Sequence, residues 1–60
     1  NMRYWKAIAL LNNGKKDAAS PILKRVFKEN SNWKKLIYRL PKSGLILMKT
    51  KELDSYLNNL

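Results

Sequence analysis

Few side chains in this 60-residue chain are suited to acid–base or nucleophilic chemistry. Its carboxylates are Asp17, Glu29, Glu52 and Asp54. Glu52 and Asp54 are two residues apart, so on a helix they diverge and do not make the carboxylate pair that flanks a scissile bond. Because the chain has no histidine, nothing of that type activates its serines, which are Ser20, Ser31, Ser43 and Ser55. We therefore predict that this chain is not an enzyme.

Metal and cofactor sites are not expected either. The chain contains no cysteine and no histidine, which removes disulfides and the commonest ligands of zinc and copper. Its two glycines, Gly14 and Gly44, are too far apart for a phosphate-binding loop. The uninterrupted apolar stretches are far shorter than the roughly 20 residues that span a bilayer. No recognisable feature indicates the cellular compartment.

Positive charge is the feature of the composition that needs an explanation. Thirteen Lys and Arg residues against four acidic residues give a net charge of +9 and a pI near 10.2. The candidate basic face comprises Lys24, Arg25 and Lys28 on the second predicted helix with Lys34, Lys35 and Arg39 on the third. Like charges four residues apart cost a few tenths of a kcal/mol each. The face is therefore either a solvated surface or a site for an anionic partner, including nucleic acid.

The first element is predicted to be a helix from about Met2 to Asn13. Apolar residues at positions 4, 7, 8 and 11 form one face, and those at 5, 9 and 10 make a further side apolar. Gly14 ends the helix, because glycine accepts the left-handed conformation of a helix C-terminus. A helix apolar on more than one side is expected to be covered on more than one side. Tyr4, Trp5 and Ile8 are the candidate contact residues of this helix.

The second helix has two possible starts. Ser20 can be the N-cap with Pro21 at the first helical position. Alternatively, Asp17 is the N-cap and the two alanines that follow are already helical. We favour the Asp17 start, with the helix ending at Glu29–Asn30. Its buried residues would be Ile22, Leu23, Val26 and Phe27.

A third helix is predicted to follow, capped by Ser31 or Asn32 and stopped by Pro41. Its apolar residues are Trp33, Leu36, Ile37 and Leu40. Residues 42–44 would form a turn, and residues 45–48 a short apolar segment that covers the core. Thr50 is the expected N-cap of a final helix, whose apolar face carries Leu53, Tyr56, Leu57 and Leu60.

These elements predict an all-α fold in one small domain, 1–60: a helical hairpin with a short capping helix and a C-terminal helix. A chain of this size buries only about 60% of its unfolded surface, so its stability is marginal. We expect both tryptophans in the core and Tyr38 outside it. The predicted core is Trp5, Ile8, Leu11, Ala19, Leu23, Val26, Phe27, Trp33, Leu36, Ile37, Leu40 and Leu57.

The hairpin resembles a tetratricopeptide repeat. Its matching positions are Ala7, Leu10, Gly14, Ala19, Leu23 and Val26. Lys6 and Ser31 depart from the repeat pattern, which prefers leucine and proline there. At least three such units normally build a stable stack. The resemblance therefore implies an end cap beside other helices, with a protein-binding or packing role.

A longer series is similar to the C-terminal tail of an uncharacterised bacterial family with a predicted Ntn-hydrolase-like N-terminal domain. The series is Tyr4, Trp5, Ala7, Leu10, Gly14, Leu23, Val26, Phe27, Trp33, Leu36, Arg39, Leu40, Pro41, Gly44 and Leu45. The chain departs from that family after Leu45. The resemblance implies that the chain is the C-terminal piece of a longer protein. Hydrolase chemistry would then belong to the N-terminal domain, not to these residues.

Three functional hypotheses follow from the sequence. The first is a non-catalytic helical module that packs on protein, either on a parent domain or on a second copy. The second is a nucleic-acid-binding module that uses the basic face. The third is a cationic membrane-active peptide, because basic amphipathic helices with tryptophan lie in membrane interfaces. Glycine and proline stops beside the tryptophans favour a packed tertiary fold over the third hypothesis.

Overall fold

The computed structural model describes residues 1–60 and contains five α-helices and no strand. They are α1 (Met2–Asn12), α2 (Lys16–Glu29), α3 (Asn32–Ile37), α4 (Leu40–Ser43) and α5 (Thr50–Asn58). The predicted all-α class is therefore confirmed. None of the five helices is long and apolar enough to cross a lipid bilayer.

A glycine turn joins α1 to α2, as the sequence predicted. Gly14 has a φ of +74°, the left-handed conformation that favours glycine. The Lys15 N–H donates to the Leu10 carbonyl at 2.9 Å, and the Gly14 N–H donates to the Leu11 carbonyl at 3.1 Å. These two bonds make a Schellman motif, which satisfies the last carbonyls of α1. The chain can then reverse, and Arg3 near the start of α1 pairs with Glu29 at the end of α2.

The start predicted for α2 was late by two residues. Asp17 was expected to be the N-cap, but Lys15 occupies that position and no side chain caps the helix. Asp17 lies in the first turn instead, where a carboxylate favours the positive end of the helix dipole. Pro21 lies inside the helix, and no Pro21 N–H exists to donate to the Asp17 carbonyl.

The predicted third helix is divided into α3 and α4. Proline was expected to stop the helix, whereas Pro41 lies in the first turn of α4. Having no N–H, Pro41 cannot continue the hydrogen bonds of α3, yet it suits a helix start, where that N–H needs no partner. Residues 42 and 43 are therefore helical and do not form the predicted turn. Ser31, one of the two predicted caps, occupies the N-cap position of α3, but its side chain makes no capping hydrogen bond. The Asn30 side chain instead accepts from the Asn32 N–H at 2.9 Å.

The connection from α4 to α5 closes the fold over the hairpin. Gly44 ends α4 with a φ of +82°. Ile46 and Met48 are buried, as expected for a segment that covers the core. Thr50 is the first residue of α5 and not its N-cap, a position that Lys49 occupies.

Two contacts set the direction of α5 against α2. Lys16 Nζ lies 3.4 Å from Glu52 Oε1, and Ser20 Oγ lies 2.8 Å from the Tyr56 hydroxyl. Residues four apart on α2 thus meet residues four apart on α5 in the same order. The two helices therefore run parallel, and Leu53 and Leu57 are buried.

Thirteen apolar residues form one buried cluster. They are Tyr4, Ala7, Ile8, Leu11, Ala19, Leu23, Val26, Ile37, Leu40, Ile46, Met48, Leu53 and Leu57. Trp5 was wrongly placed in the core, because 43% of its surface is exposed. Phe27, Trp33 and Leu36 are only partly buried against the cluster. Tyr38 is exposed, as predicted.

Candidate interaction surface

The outward face of α1 carries apolar residues that nothing covers. Met2, Trp5 and Ala9 are spaced three and four residues apart, so they share one side of the helix. All three are exposed, Met2 by 90% and Trp5 by 43%. The opposite side of α1 faces the core. The sequence predicted that α1 would be covered on more than one side, but within this chain only the side with Tyr4 is covered and the outer side is open.

Asn12 extends this face by fixing the segment before α5. Its side-chain amide donates to the Leu45 carbonyl at 3.0 Å and accepts from the Leu47 N–H at 2.8 Å. Leu45 and Leu47 remain 51% and 77% exposed beside the C-terminal end of α1. We call Met2, Trp5, Ala9, Leu45 and Leu47 the apolar strip.

An aromatic cluster supports the strip from beneath. The rings of Tyr4 and Trp5 meet edge to face, with centroids 5.0 Å apart and planes at 82°. Tyr4 also lies 4.6 Å from the ring of Trp33. Such contacts stabilise beyond the area they bury and restrict the rings. Trp5 is therefore held in place, although nearly half of it is exposed.

Tyr4 itself is completely buried, and its hydroxyl has no hydrogen-bond partner. Burial raises the pKa of the Tyr4 phenol to about 12, because the charged phenolate is disfavoured away from water. Tyr4 and Ile8 were candidate contact residues, but both are buried and cannot form the outer surface. Of the three candidates on α1, only Trp5 is available to a partner.

The candidate basic residues of α2 do share an exposed face. Lys24, Arg25 and Lys28 lie on the side of α2 opposite the buried Leu23 and Val26. Arg25 makes a loose pair with the end of the helix, 3.9 Å from the Glu29 carboxylate. Lys24 and Lys28 have no ion-pair partner. This face is therefore positively charged along about one turn of the helix.

Lys35 and Arg39 are also exposed, but no ion pair or hydrogen bond joins them to the basic face of α2. Arg39 lies between α3 and α4, since the third predicted helix is divided there. Three of the thirteen Lys and Arg residues are in ion pairs, which leaves ten without a carboxylate partner.

The acidic residues and the groove beside α5 were also compared with what a metal or ligand site requires. No group of three or more acidic residues is placed to hold a metal ion. An open groove between α2 and α5 is lined by Lys16, Lys49, Lys51, Glu52, Ser55, Tyr56 and Asn59. Its single carboxylate is already paired with Lys16. Near α5, burial raises the pKa of Tyr38, and the adjacent Asp54 adds to the rise.

Sequence reasoning missed most of the apolar strip. Met2 was treated as the helix start, and Leu45 and Leu47 as part of a segment covering the core. The alternation Leu45-Ile46-Leu47-Met48 contained a signal, because a period of two places alternate side chains on opposite sides of an extended segment. No sequence pattern indicated the hydrogen bonds from the Asn12 side chain to Leu45 and Leu47.

Replacing Asn12 with alanine should release residues 45–48. Both hydrogen bonds to that segment would be lost, and we expect about 1–2 kcal/mol of destabilisation. Hydrogen exchange should show faster exchange of the Leu47 N–H. Asn13→Ala is the matched control, because its side chain bonds only to Ala9 within α1. Equal exchange at Leu47 in both variants would contradict the role assigned to Asn12.

Compared with known proteins, the chain matches no family model, no curated protein and no solved structure. The apolar strip and the charges around it are therefore the features of the chain that bear on its function.

Proposed function

We propose that the chain is a non-catalytic helical module that docks on protein through the apolar strip. The observation that carries the proposal is the position of Trp5, which lies exposed at the middle of an apolar helix face yet packs against Tyr4. Tryptophan contributes more than most residues to binding when a partner covers it. A ring already held in place loses less entropy on docking.

The distribution of exposed residues supports the same proposal. The large exposed apolar side chains other than Tyr38 belong to α1 or to the segment fixed by Asn12. Scattered exposed apolar residues are normal, whereas a row of them on one face is typical of an interaction site. The candidate basic residues lie on α2, on α3 and between α3 and α4, so none of them belongs to the elements that carry the strip.

We also propose the setting in which such a module would act. The resemblance to a tetratricopeptide repeat suggests an end cap, in which α1 would pack on a neighbouring helix. The antiparallel α1–α2 pair with its Gly14 turn supports that comparison. The other resemblance suggests a parent bacterial protein with a predicted Ntn-hydrolase-like domain, on which the strip would dock.

A designed peptide tests the docking function. The peptide is an amphipathic helix of about 18 residues, longer than the 12–15 at which isolated helices are marginal. Its apolar face is leucine, and its flanking positions are glutamine. Fluorescence anisotropy of the labelled peptide should show saturable binding that persists at high salt, because apolar contacts are not screened.

The double variant Trp5→Gln with Leu47→Gln should weaken this binding at least about tenfold. Lys24→Gln is the control, since Lys24 lies on the far face of α2. Circular dichroism establishes that each variant is folded. Absence of saturable peptide binding, or equal affinity for the double variant and the unchanged chain, would show that the strip is not a docking site.

Nucleic-acid binding is the second candidate, supported by the exposed face of Lys24, Arg25 and Lys28. Phosphate contacts release counterions, so such binding falls steeply with salt. Titration with a labelled oligonucleotide distinguishes the two functions. Nucleic-acid binding should disappear at high salt and depend on Lys24 and Lys28 but not on Trp5, whereas peptide docking should show the opposite dependence.

A further inference from the structure

The elements that carry the apolar strip contain cations and no carboxylate. All four acidic residues of the chain lie on α2 or α5. On α1, Lys6 follows Met2 by four residues and precedes Ala9 by three, so it lies beside the strip. Arg3 is paired with Glu29, but Lys6 has no ion-pair partner. The strip is therefore apolar at its centre and positive at its edge.

We propose that the occupant of the apolar strip is an amphipathic helix of an acidic partner, with carboxylates flanking its apolar positions. This inference rests on the proposed docking function and adds the charge of the partner to it. Opposite charges at the edge of an interface guide association and oppose wrong partners. A carboxylate-flanked helix would place its apolar side chains on Trp5 and Leu47 and its acidic side chains beside Lys6.

The length of the strip fits one helix. From Met2 to Asn12 the axis of α1 rises about 15 Å, at 1.5 Å per residue. Leu45 and Leu47 widen the surface beside that end. A partner helix of about three to four turns is long enough to cover this distance.

Charge disfavours a second copy of this chain as the occupant. In a two-fold pair the same patch of each copy meets the other, so both Lys6 side chains would lie at the edge of one interface with no carboxylate of the strip to pair with. Each copy also has a net charge of +9. Like charges at such a contact oppose association most strongly at low salt.

A membrane surface is the other anionic occupant, and the width of the strip disfavours it. Helices that lie in a membrane interface have a wide apolar face. Here the wide apolar side of α1 is buried in the core with Tyr4, Ala7, Ile8 and Leu11. The outward side of α1 has only the narrow row of Met2, Trp5 and Ala9, which Lys6 borders.

Three peptides with the same leucine face test the inference, flanked by glutamate, glutamine or lysine. At low salt the glutamate peptide should bind at least about tenfold more tightly than the glutamine peptide, and the lysine peptide more weakly than both. The ratio should approach one near 1 M salt, where the Debye length is about 3 Å. Sedimentation at low salt should show the chain alone to be a monomer.

Two variants with the same net charge locate the effect. Lys6→Glu and Lys24→Glu each lower the charge by two, but only Lys6 lies beside the strip. Lys6→Glu should reduce the preference for the glutamate peptide at least about threefold more than Lys24→Glu does. Equal reductions would mean that only the overall charge matters, and the inference would be wrong.

The failures of the two proposals are distinguishable. Equal binding of the glutamate and glutamine peptides would overturn the acidic partner and leave apolar docking intact. Failure of all the peptides to bind would overturn docking itself. A salt-resistant dimer lost in Trp5→Gln would assign the strip to a second copy. Binding to phosphatidylglycerol vesicles that Trp5→Gln abolishes, with no peptide bound, would assign it to a membrane.

Discussion

Replacing Leu23 with alanine is expected to unfold most of the chain at 25 °C. Leu23 is fully buried on α2, within the cluster that includes residues of α1 and α5. Leucine-to-alanine changes in cores cost about 2–5 kcal/mol, through lost burial and the cavity left behind. A core in a chain of this size rarely supplies more than about 3–5 kcal/mol. The loss is therefore comparable to the whole stability.

Thermal unfolding followed by far-ultraviolet circular dichroism measures this effect. Leu47→Ala is the matched control: it makes the same chemical change at a side chain that is 77% exposed. It should leave the unfolding midpoint within a few degrees of the original, since surface changes are usually within about 0.5 kcal/mol. A cooperative transition at an unchanged temperature in Leu23→Ala would show that α2 does not depend on this core.

Leu47→Ala also separates folding from docking. If the apolar strip binds a partner helix, this variant should lose affinity while it keeps its stability. The buried residues determine whether the fold forms, and the exposed residues of the strip determine what it contacts. Small domains often have too small a core for high stability. A partner that binds only the folded form would therefore also stabilise it.

Local sequence signals were sufficient for the hairpin. Gly14 ended α1 because only a residue tolerant of positive φ suits that position, a property of glycine itself. Leu23 and Val26 were assigned to the core from their spacing on a helix, and both are fully buried. Such signals depend on the residue and its near neighbours, and they need no knowledge of the rest of the chain.

The orientation of α1 could not be derived in the same way. In the sequence, the side of α1 that contains Tyr4 and the side that contains Trp5 are both apolar. Hydrophobicity alone favours burying the tryptophan. The structure buries Tyr4 with Ala7, Ile8 and Leu11 and exposes Trp5. That choice depends on which face fits α2, where the small Ala19 is completely buried. Packing between helices, and not propensity, determines it.

The candidate surface was predictable only in part. Trp5 and the basic residues were identified from the sequence, but the link between α1 and residues 45–47 depends on the amide of Asn12. These residues are more than thirty positions apart, so no local pattern connects them. The division of the third helix at Tyr38 and Arg39 was likewise missed, because the Pro41 that follows suits both a helix end and the first turn of the next helix.

Tyr4→Phe is expected to stabilise the chain. The Tyr4 hydroxyl is buried without a hydrogen-bond partner, and such a group costs about 1–3 kcal/mol. Phenylalanine keeps the ring beside Trp5 and Trp33 and removes the hydroxyl. We expect a gain of about 1 kcal/mol at neutral pH, measured by urea unfolding. Removing one oxygen leaves a small void, which is why the expected gain lies at the lower end of that range.

The same variant should alter the response to alkaline pH. The pKa of the Tyr4 phenol is about 12 in the folded chain and near 10 when unfolded, so the folded state holds the proton more tightly. Below pH 10 the Tyr4 phenol is protonated in both the folded and the unfolded chain, so it makes the free energy of unfolding no lower. Between pH 10 and 12 the unfolded chain loses this proton first, and the free energy of unfolding falls by about 1.4 kcal/mol per pH unit. All other side chains are the same in the two proteins, so their effects cancel in the comparison. The stability of Tyr4→Phe relative to the unchanged chain should therefore rise with pH across this window. A difference independent of pH would mean that the Tyr4 hydroxyl is reached by water.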